Sequence, residues 1–178
     1  MMTAALKDCL PATLTTTRLV LATPAMAHVP QMAALANNKR IHEVLSRLPH
    51  PYTEKDGEHF VSEIARGEIE FAWSILRDGD YVGTVGLHLL PDQLPELGYW
   101  LGEPHWGQGI ATEAGRAVVD AARAAGAAAL RSRALLANSG SRNVLKKLGF
   151  AEIGESTDKD GTLKGQAVML MRLEFGER

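Results

Sequence analysis

Apolar positions along the chain switch between two spacings, and the switch points divide it into strands and helices. Residues 1–14 show no clear period and are expected to be disordered or loosely attached. From Thr15 to Ala22, Leu19 and Leu21 alternate with Arg18 and Val20, which predicts a strand. Residues 24–38 read as helical, stopped at Asn37-Asn38. Ile41, Val44, Leu45 and Leu48 form a short amphipathic segment closed by Pro49 and Pro51. Thr53 is placed to cap a helix carrying Phe60, Val61 and Ile64, with Asp56 completing a capping box and Gly67 ending it. Two strands, over 70–76 and 81–90, flank Asp78-Gly79, a dipeptide that favours a tight hairpin.

After the Pro91–Pro95 loop, the run Leu97–Leu101 has the large side chains of another strand. Pro104 and three glycines between Gly102 and Gly109 forbid regular structure. From Gln108 or Gly109 a helix begins, with Ile110, Ala111, Ala114, Ala117, Val118 and Ala121 at spacings of three and four, and it ends at Gly126. A strand over 130–136, a helix over 139–148 stopped by Gly149, a strand over 150–156 and an apolar run over 167–173 complete the series. Strands alternate with helices without repeat or linker, so one mixed α/β domain is expected over residues 15–176. The apolar last strand offers an edge for pairing with a second copy, a route to a homodimer.

Bulk properties narrow the class. A chain of 178 residues supports one well-packed domain and is short for two. With 46% hydrophobic and 22% charged residues it has the composition of a soluble globular fold. A net charge of -2 gives no electrostatic case for nucleic acid or anionic membranes. The single cysteine, Cys9, excludes an internal disulfide, and no His/Asp/Glu grouping has metal-ligand spacing, so no metal is expected. No apolar run approaches membrane-spanning length and no signal peptide is legible, which points to the cytoplasm.

The strand, glycine-bearing turn and helix start around residues 96–114 aim free backbone N–H groups at an anion. Glycine lets the main chain approach a phosphate closely, and the helix dipole adds partial positive charge there. A nucleoside triphosphate loop would carry Lys followed by Ser or Thr, and nothing of the kind follows Gly109. A dinucleotide fingerprint needs three glycines at its own spacing, and only the first two are present. Taken alone, Gly107 and Gly109 fit a structural turn as well as an anion cradle.

Downstream, Asn138-Ser139-Gly140-Ser141-Arg142-Asn143-Val144-Leu145-Lys146-Lys147-Leu148-Gly149-Phe150 adds a second motif. Together with Gly98-Tyr99-Trp100-Leu101 and Trp106-Gly107-Gln108-Gly109-Ile110-Ala111-Thr112-Glu113-Ala114, the chain resembles the GNAT superfamily of acyl-CoA-dependent N-acetyltransferases, in its RimJ/RimL-like branch. Thr17–Leu21, Pro51–Thr53 and Val82–Leu87 extend the resemblance over nearly the whole chain. It implies a mostly antiparallel twisted sheet with one splayed parallel pair, strands 96–102 and 130–136, with acetyl-CoA as co-substrate in the opening. The diphosphate would lie on the N–H groups of Gly107, Gln108, Gly109 and Ala111, with Thr112 next in the helix. Trp106 stands where the wider family has Gln or Arg. Asn138 and Asn143 would touch the pantetheine arm, Asn138 serving equally as a helix N-cap.

An amine at neutral pH is an ammonium ion, so a base must take a proton before the thioester is attacked. The resemblance places Glu96 in that role, with His88 and Glu103 as runners-up. The wider family's tyrosine acid is replaced here by Leu145, and Ser141, one turn earlier, would donate its hydroxyl to the sulfur. Main-chain N–H groups of Leu97 to Tyr99 would polarise the carbonyl. The acceptor would be a protein N-terminal amine or a small amine, with residues 37–52 shaping the choice. A non-catalytic acyl-CoA-binding module on the same scaffold is the alternative.

Overall fold

The computed structural model describes residues 2–176, with side chains from Ala5 onward. Eight strands make one sheet: β1 (Leu14–Thr15), β2 (Leu19–Ala22), β3 (Glu70–Arg77), β4 (Asp80–His88), β5 (Glu96–Leu101), β6 (Ala129–Leu135), β7 (Ala151–Thr157) and β8 (Ala167–Glu174). Their spatial order is β1-β2-β3-β4-β5-β6-β8-β7, and every neighbouring pair is antiparallel except β5 and β6. The last strand therefore lies inside the sheet, and the edge expected of it belongs to β7, which is exposed along its length. The apolar character of β8 follows from its place between two neighbours.

Local chemistry sets most boundaries. Asp78 and Gly79 take φ of 52° and 84°, the left-handed pair that a two-residue hairpin turn requires. The long helix α5 (Ile110–Ala124) and α6 (Ser139–Lys147) both end in a left-handed glycine, Gly126 and Gly149, each at φ 100°. In each case the following N–H donates back into the last turn, Ala127 to Ala122 and Phe150 to Leu145, both at 3.0 Å. Thr53 caps α4 (Glu54–His59) in a reciprocal box with Asp56, as the spacing predicts.

Four stretches differ from expectation. Residues Met2–Cys9 form α1, and Leu6 and Leu10 at its end enter the core, where the Trp73 indole N–H also donates to Pro11 O at 3.1 Å. Thr15–Ala22 is not one strand: Thr16 to Arg18 turn, and β1 folds back on β2. The helical reading of 24–38 shortens to a 3₁₀ turn, Met26–His28, and α2 (Val29–Ala36); α3 (Lys39–His42) follows. Beyond α4 the chain widens to a π-helical turn, Phe60–Ile64, with the Ala65 N–H donating to Phe60 O.

The two faces of the sheet have different tasks. Phe71, Trp73, Ile75, Val85, Leu87, Leu97 and Leu101 pack with Ile110, Ala114 and Val118 of α5 in the main core. Gly115 allows close contact with α6, since a Cβ there would meet Leu148 at 2.7 Å. On the opposite face α2 brings Met32, Ala33 and Ala36 against Tyr52 and Tyr81, with Trp100 alongside. That second cluster is small and leaves part of the face uncovered.

Candidate active site

Cross-strand register builds the open face in rows, because directly paired residues share a side of the sheet. One row is Ala72, Gly86 and Gly98, on β3, β4 and β5 in turn. A Cβ on Gly98 would meet nothing within 4 Å, so the floor beside it is empty space. The next row is Glu70, His88 and Glu96, continued onto β6 by Arg131. Above these rows lies a cavity of about 680 Å³, walled by apolar side chains including Leu45, Leu48, Phe60, Ile64 and Trp100. Residues 44–49 and Tyr52 line it, the stretch expected to shape acceptor choice. A polar annex of about 360 Å³ adjoins it through Ser46, Arg47, Arg133 and Asp158.

The row's charges are paired. Glu96 lies between two guanidinium groups, 3.1 Å from Arg131 Nε and 3.7 Å from Arg133 Nε. The first contact is an ion pair out of hydrogen-bond alignment. Arg133 also donates to Asp158 Oδ1 at 2.9 Å, leaving Asp158 Oδ2 buried without a hydrogen-bond partner. His88 Nδ1 is 2.9 Å from Glu70 Oε2, and its Nε2 is 2.8 Å from Arg47 Nη1. Glu103, the other carboxylate considered as a base, accepts from Asn38 Nδ2 and Arg40 in the loop before α5 and does not line the cavity.

Strands β5 and β6 share a single parallel bridge, Glu96 with Arg131. The Arg131 N–H donates to Pro95 O at 3.0 Å and Ser132 Oγ to Leu97 O at 2.8 Å; beyond this clasp the strands part. Two predicted residues meet beside the gap: the Tyr99 hydroxyl shares a 2.9 Å hydrogen bond with Ser141 Oγ on α6. Leu145 is fully buried, as its place in the motif implies, and a phenol reaches this helix from β5 instead. Burial pushes the Tyr99 phenol above its ordinary value, with the Ser141 hydrogen bond pulling the other way, so it is protonated at neutral pH. Asn138 caps α6, its Oδ1 accepting from the Ser141 N–H at 3.2 Å; Asn143 is exposed on the same helix.

At the head of α5, Gly107 and Gly109 take φ of 72° and 76°. No side chain caps this helix, and residues 106–109 are exposed. Ala111 and Thr112 follow, half-buried, in its first turn. Trp106 turns its indole N–H inward to Leu101 O at 2.9 Å, and the Arg40 guanidinium sits 5.2 Å from its ring centre. Two cations reach this loop from the turn before β2 and from β3. Arg18 donates to Gln108 O at 2.9 Å, and Arg77 to Gln108 Oε1 at 2.6 Å. Arg18 also binds Glu113, whose carboxyl is held below its ordinary value: partial burial raises it, but the Arg18 and Thr16 hydrogen bonds outweigh that. Neither arginine was legible as a loop partner, because β1, β2 and β3 lie far from this loop in sequence.

The fold that carries this helix start and these parted strands recurs in known proteins. In structure the chain is similar to the microcin C7 self-immunity acetyltransferase MccE, solved with acetyl-CoA and AMP. The TM-score is 0.82 at 16% identity, covering 94% of this chain and 98% of that one. It is similar to RimL, the ribosomal L7/L12 α-N-protein acetyltransferase solved with coenzyme A (TM-score 0.80, 18% identity, 93% and 97% covered). It is also similar to Mycobacterium smegmatis RimJ, solved with a CoA disulfide (TM-score 0.75, 19% identity, 88% and 81% covered). No curated protein sequence matches the chain. The model of the acetyltransferase (GNAT) domain matches residues 18–151, three quarters of the sequence, and the chain belongs to that family.

Proposed function

We propose that the protein transfers an acetyl group from acetyl-CoA directly to a primary amine, within one ternary complex and without an acyl-enzyme. The observation that carries this reading is the gap between β5 and β6. Tyr99, hydrogen-bonded to Ser141 beside it, also lines the apolar cavity, and the uncapped start of α5 follows β5 in the chain. Donor and acceptor can therefore meet at one opening.

The diphosphate of acetyl-CoA lies on the N–H groups of Gly107, Gln108, Gly109 and Ala111, with Thr112 beside them and Arg18 and Arg77 adding positive charge. Asn138 and Asn143 border the pantetheine arm. The thioester carbonyl meets the main-chain N–H groups of Leu97 to Tyr99, which stabilise the oxyanion as it forms. Tyr99 and Ser141 together donate to the departing sulfur. Glu96 is the anchor of the row nearest the gap, and the amine's proton leaves through that row. An N–H or O–H of the acceptor would satisfy the free Asp158 oxygen. The acceptor is a protein N-terminal amine or a small amine, and its apolar portion fills the cavity. Among the described residues no helix is long and apolar enough to cross a membrane, which fits an acceptor met in the cytoplasm.

Thiol release from acetyl-CoA is the test, across small amines and peptides beginning with Ala, Ser and Met. Amine-dependent thiol release with acetyl mass gained by the acceptor is expected. Tight CoA binding with no turnover on any amine would favour a non-catalytic acyl-CoA-binding module instead.

A further inference from the structure

The residue expected to take the amine's proton is already engaged in ion pairs. Both oxygens of Glu96 face guanidinium groups of β6, and protonating it would break the charge pairing that clasps β5 to β6. Its neighbour in the row is arranged differently. His88, on β4, is directly opposite Glu96 on β5 and directly opposite Glu70 on β3. Arg47 is an obligate donor, so the His88 Nε2 beside it, at 2.8 Å, presents its lone pair. The ring proton is then on Nδ1, where it donates to Glu70 Oε2 at 2.9 Å. A carboxylate that fixes the tautomer of a histidine, with the second nitrogen aimed into a substrate cavity, is the arrangement of an oriented general base.

We infer that His88, oriented by Glu70, takes the proton from the acceptor ammonium; the inference rests on the amine-acetyltransferase reading above. Arg47 is exposed and stands at the cavity wall, and its N–H occupies the position that an acceptor N–H would take on Nε2. The ammonium gives one proton to Nε2 and becomes the neutral amine. Its lone pair forms the C–N bond at the thioester carbonyl, and the C–S bond breaks with its electrons going to sulfur. A second proton from the attacking nitrogen balances the one that Tyr99 or Ser141 gives to the thiolate. Each turnover thus yields the amide, free thiol and one proton released from His88 to solvent. Glu70 touches neither substrate and is a positioning residue.

The test uses two matched probes, benzylamine, protonated at neutral pH, and O-benzylhydroxylamine, whose nitrogen is already neutral. His88→Gln and His88→Asn are screened by thermal melting, and the one that keeps the wild-type transition is used. The kcat for benzylamine should fall about 10²–10⁴-fold, while KM for acetyl-CoA stays within about twofold. For O-benzylhydroxylamine the loss should be smaller by about tenfold or more, since little proton removal precedes attack. Glu70→Gln should show the same bias between the amines with a smaller loss, and Glu70→Asp should recover part of it. Equal losses with both probes, or a larger benzylamine defect in Glu96→Gln than at His88, would overturn the assignment. Wild-type protein idle with both probes and with every peptide would remove the amine-acetyltransferase reading itself.

Discussion

Replacing Tyr99 by Phe deletes one oxygen and keeps the ring that packs against the main core. What is lost structurally is the 2.9 Å hydrogen bond to Ser141. A bond of this kind contributes about 1 kcal/mol net, which in a chain of this size lowers the melting temperature by about 2–4 °C. If the phenol also serves the departing thiolate, the kinetic loss is of another order. Removing a positioned proton donor slows transfer by about 10²–10⁴-fold, equivalent to roughly 3–5 kcal/mol at 1.36 kcal/mol per tenfold. The two effects are separated by measuring kcat for thiol release and thermal melting on the same preparation. If the two hydroxyls serve one sulfur, Ser141→Ala should give a loss of similar kind, and the double variant should be little worse than the poorer single one. Tyr99→Phe with more than about one third of wild-type kcat, a change worth under 1 kcal/mol, would show that the pair is only structural.

Three further outcomes are expected. Gly109→Ala forces a Cβ into a left-handed residue at φ 76° with Arg18 Nη2 3.4 Å away. The strain of about 1–2 kcal/mol should weaken acetyl-CoA binding in calorimetry, and unchanged affinity would mean that the diphosphate sits elsewhere. Gly98→Val adds a branched side chain where nothing lies within 4 Å of the new Cβ. Melting and CoA affinity should be retained while KM for bulky amines rises; loss of CoA binding instead would put the donor, not the acceptor, over that floor. For Glu113, the folded carboxyl titrates below its ordinary value of 4.5. Stability from its pairing with Arg18 is therefore complete above that value and is lost as pH falls through the lowered folded one. Melting curves of wild type and Glu113→Gln should differ at neutral pH and converge in acid, and a gap that persists in acid would refute the linkage.

The parts of the site legible in the sequence are those whose chemistry is local. Gly107 and Gly109 announced left-handed turns before a helix, and Asn138 announced a cap, because each acts on backbone within a few residues of itself. Tyr99 and Ser141 were both singled out, yet nothing in the spacing of β5 and α6 showed that their hydroxyls touch. Arg18 and Arg77 were hidden because they reach the loop before α5 from the β1–β2 turn and from β3, distant from it in the chain. The register of β3 is the sharpest case. Counting pairs outward from the Asp78-Gly79 turn would set Glu70 against Leu87. A bulge between Ile75 and Leu76 shifts the pairing by one residue and sets Glu70 against His88. One unpaired residue on β4, Val82, thus decides that His88 shares the side of the sheet on which Glu70 lies.

By itself the sequence determined the order of elements, the helix ends, the hairpin and the family motifs, since periodicity, caps and glycine conformations are properties of neighbouring residues. The tertiary structure decided which strand is the edge, where β5 and β6 part, and which charges face one another in the row Glu70, His88 and Glu96. Those depend on how strands pair, where a shift of one position exchanges a buried leucine for a histidine at the cavity wall.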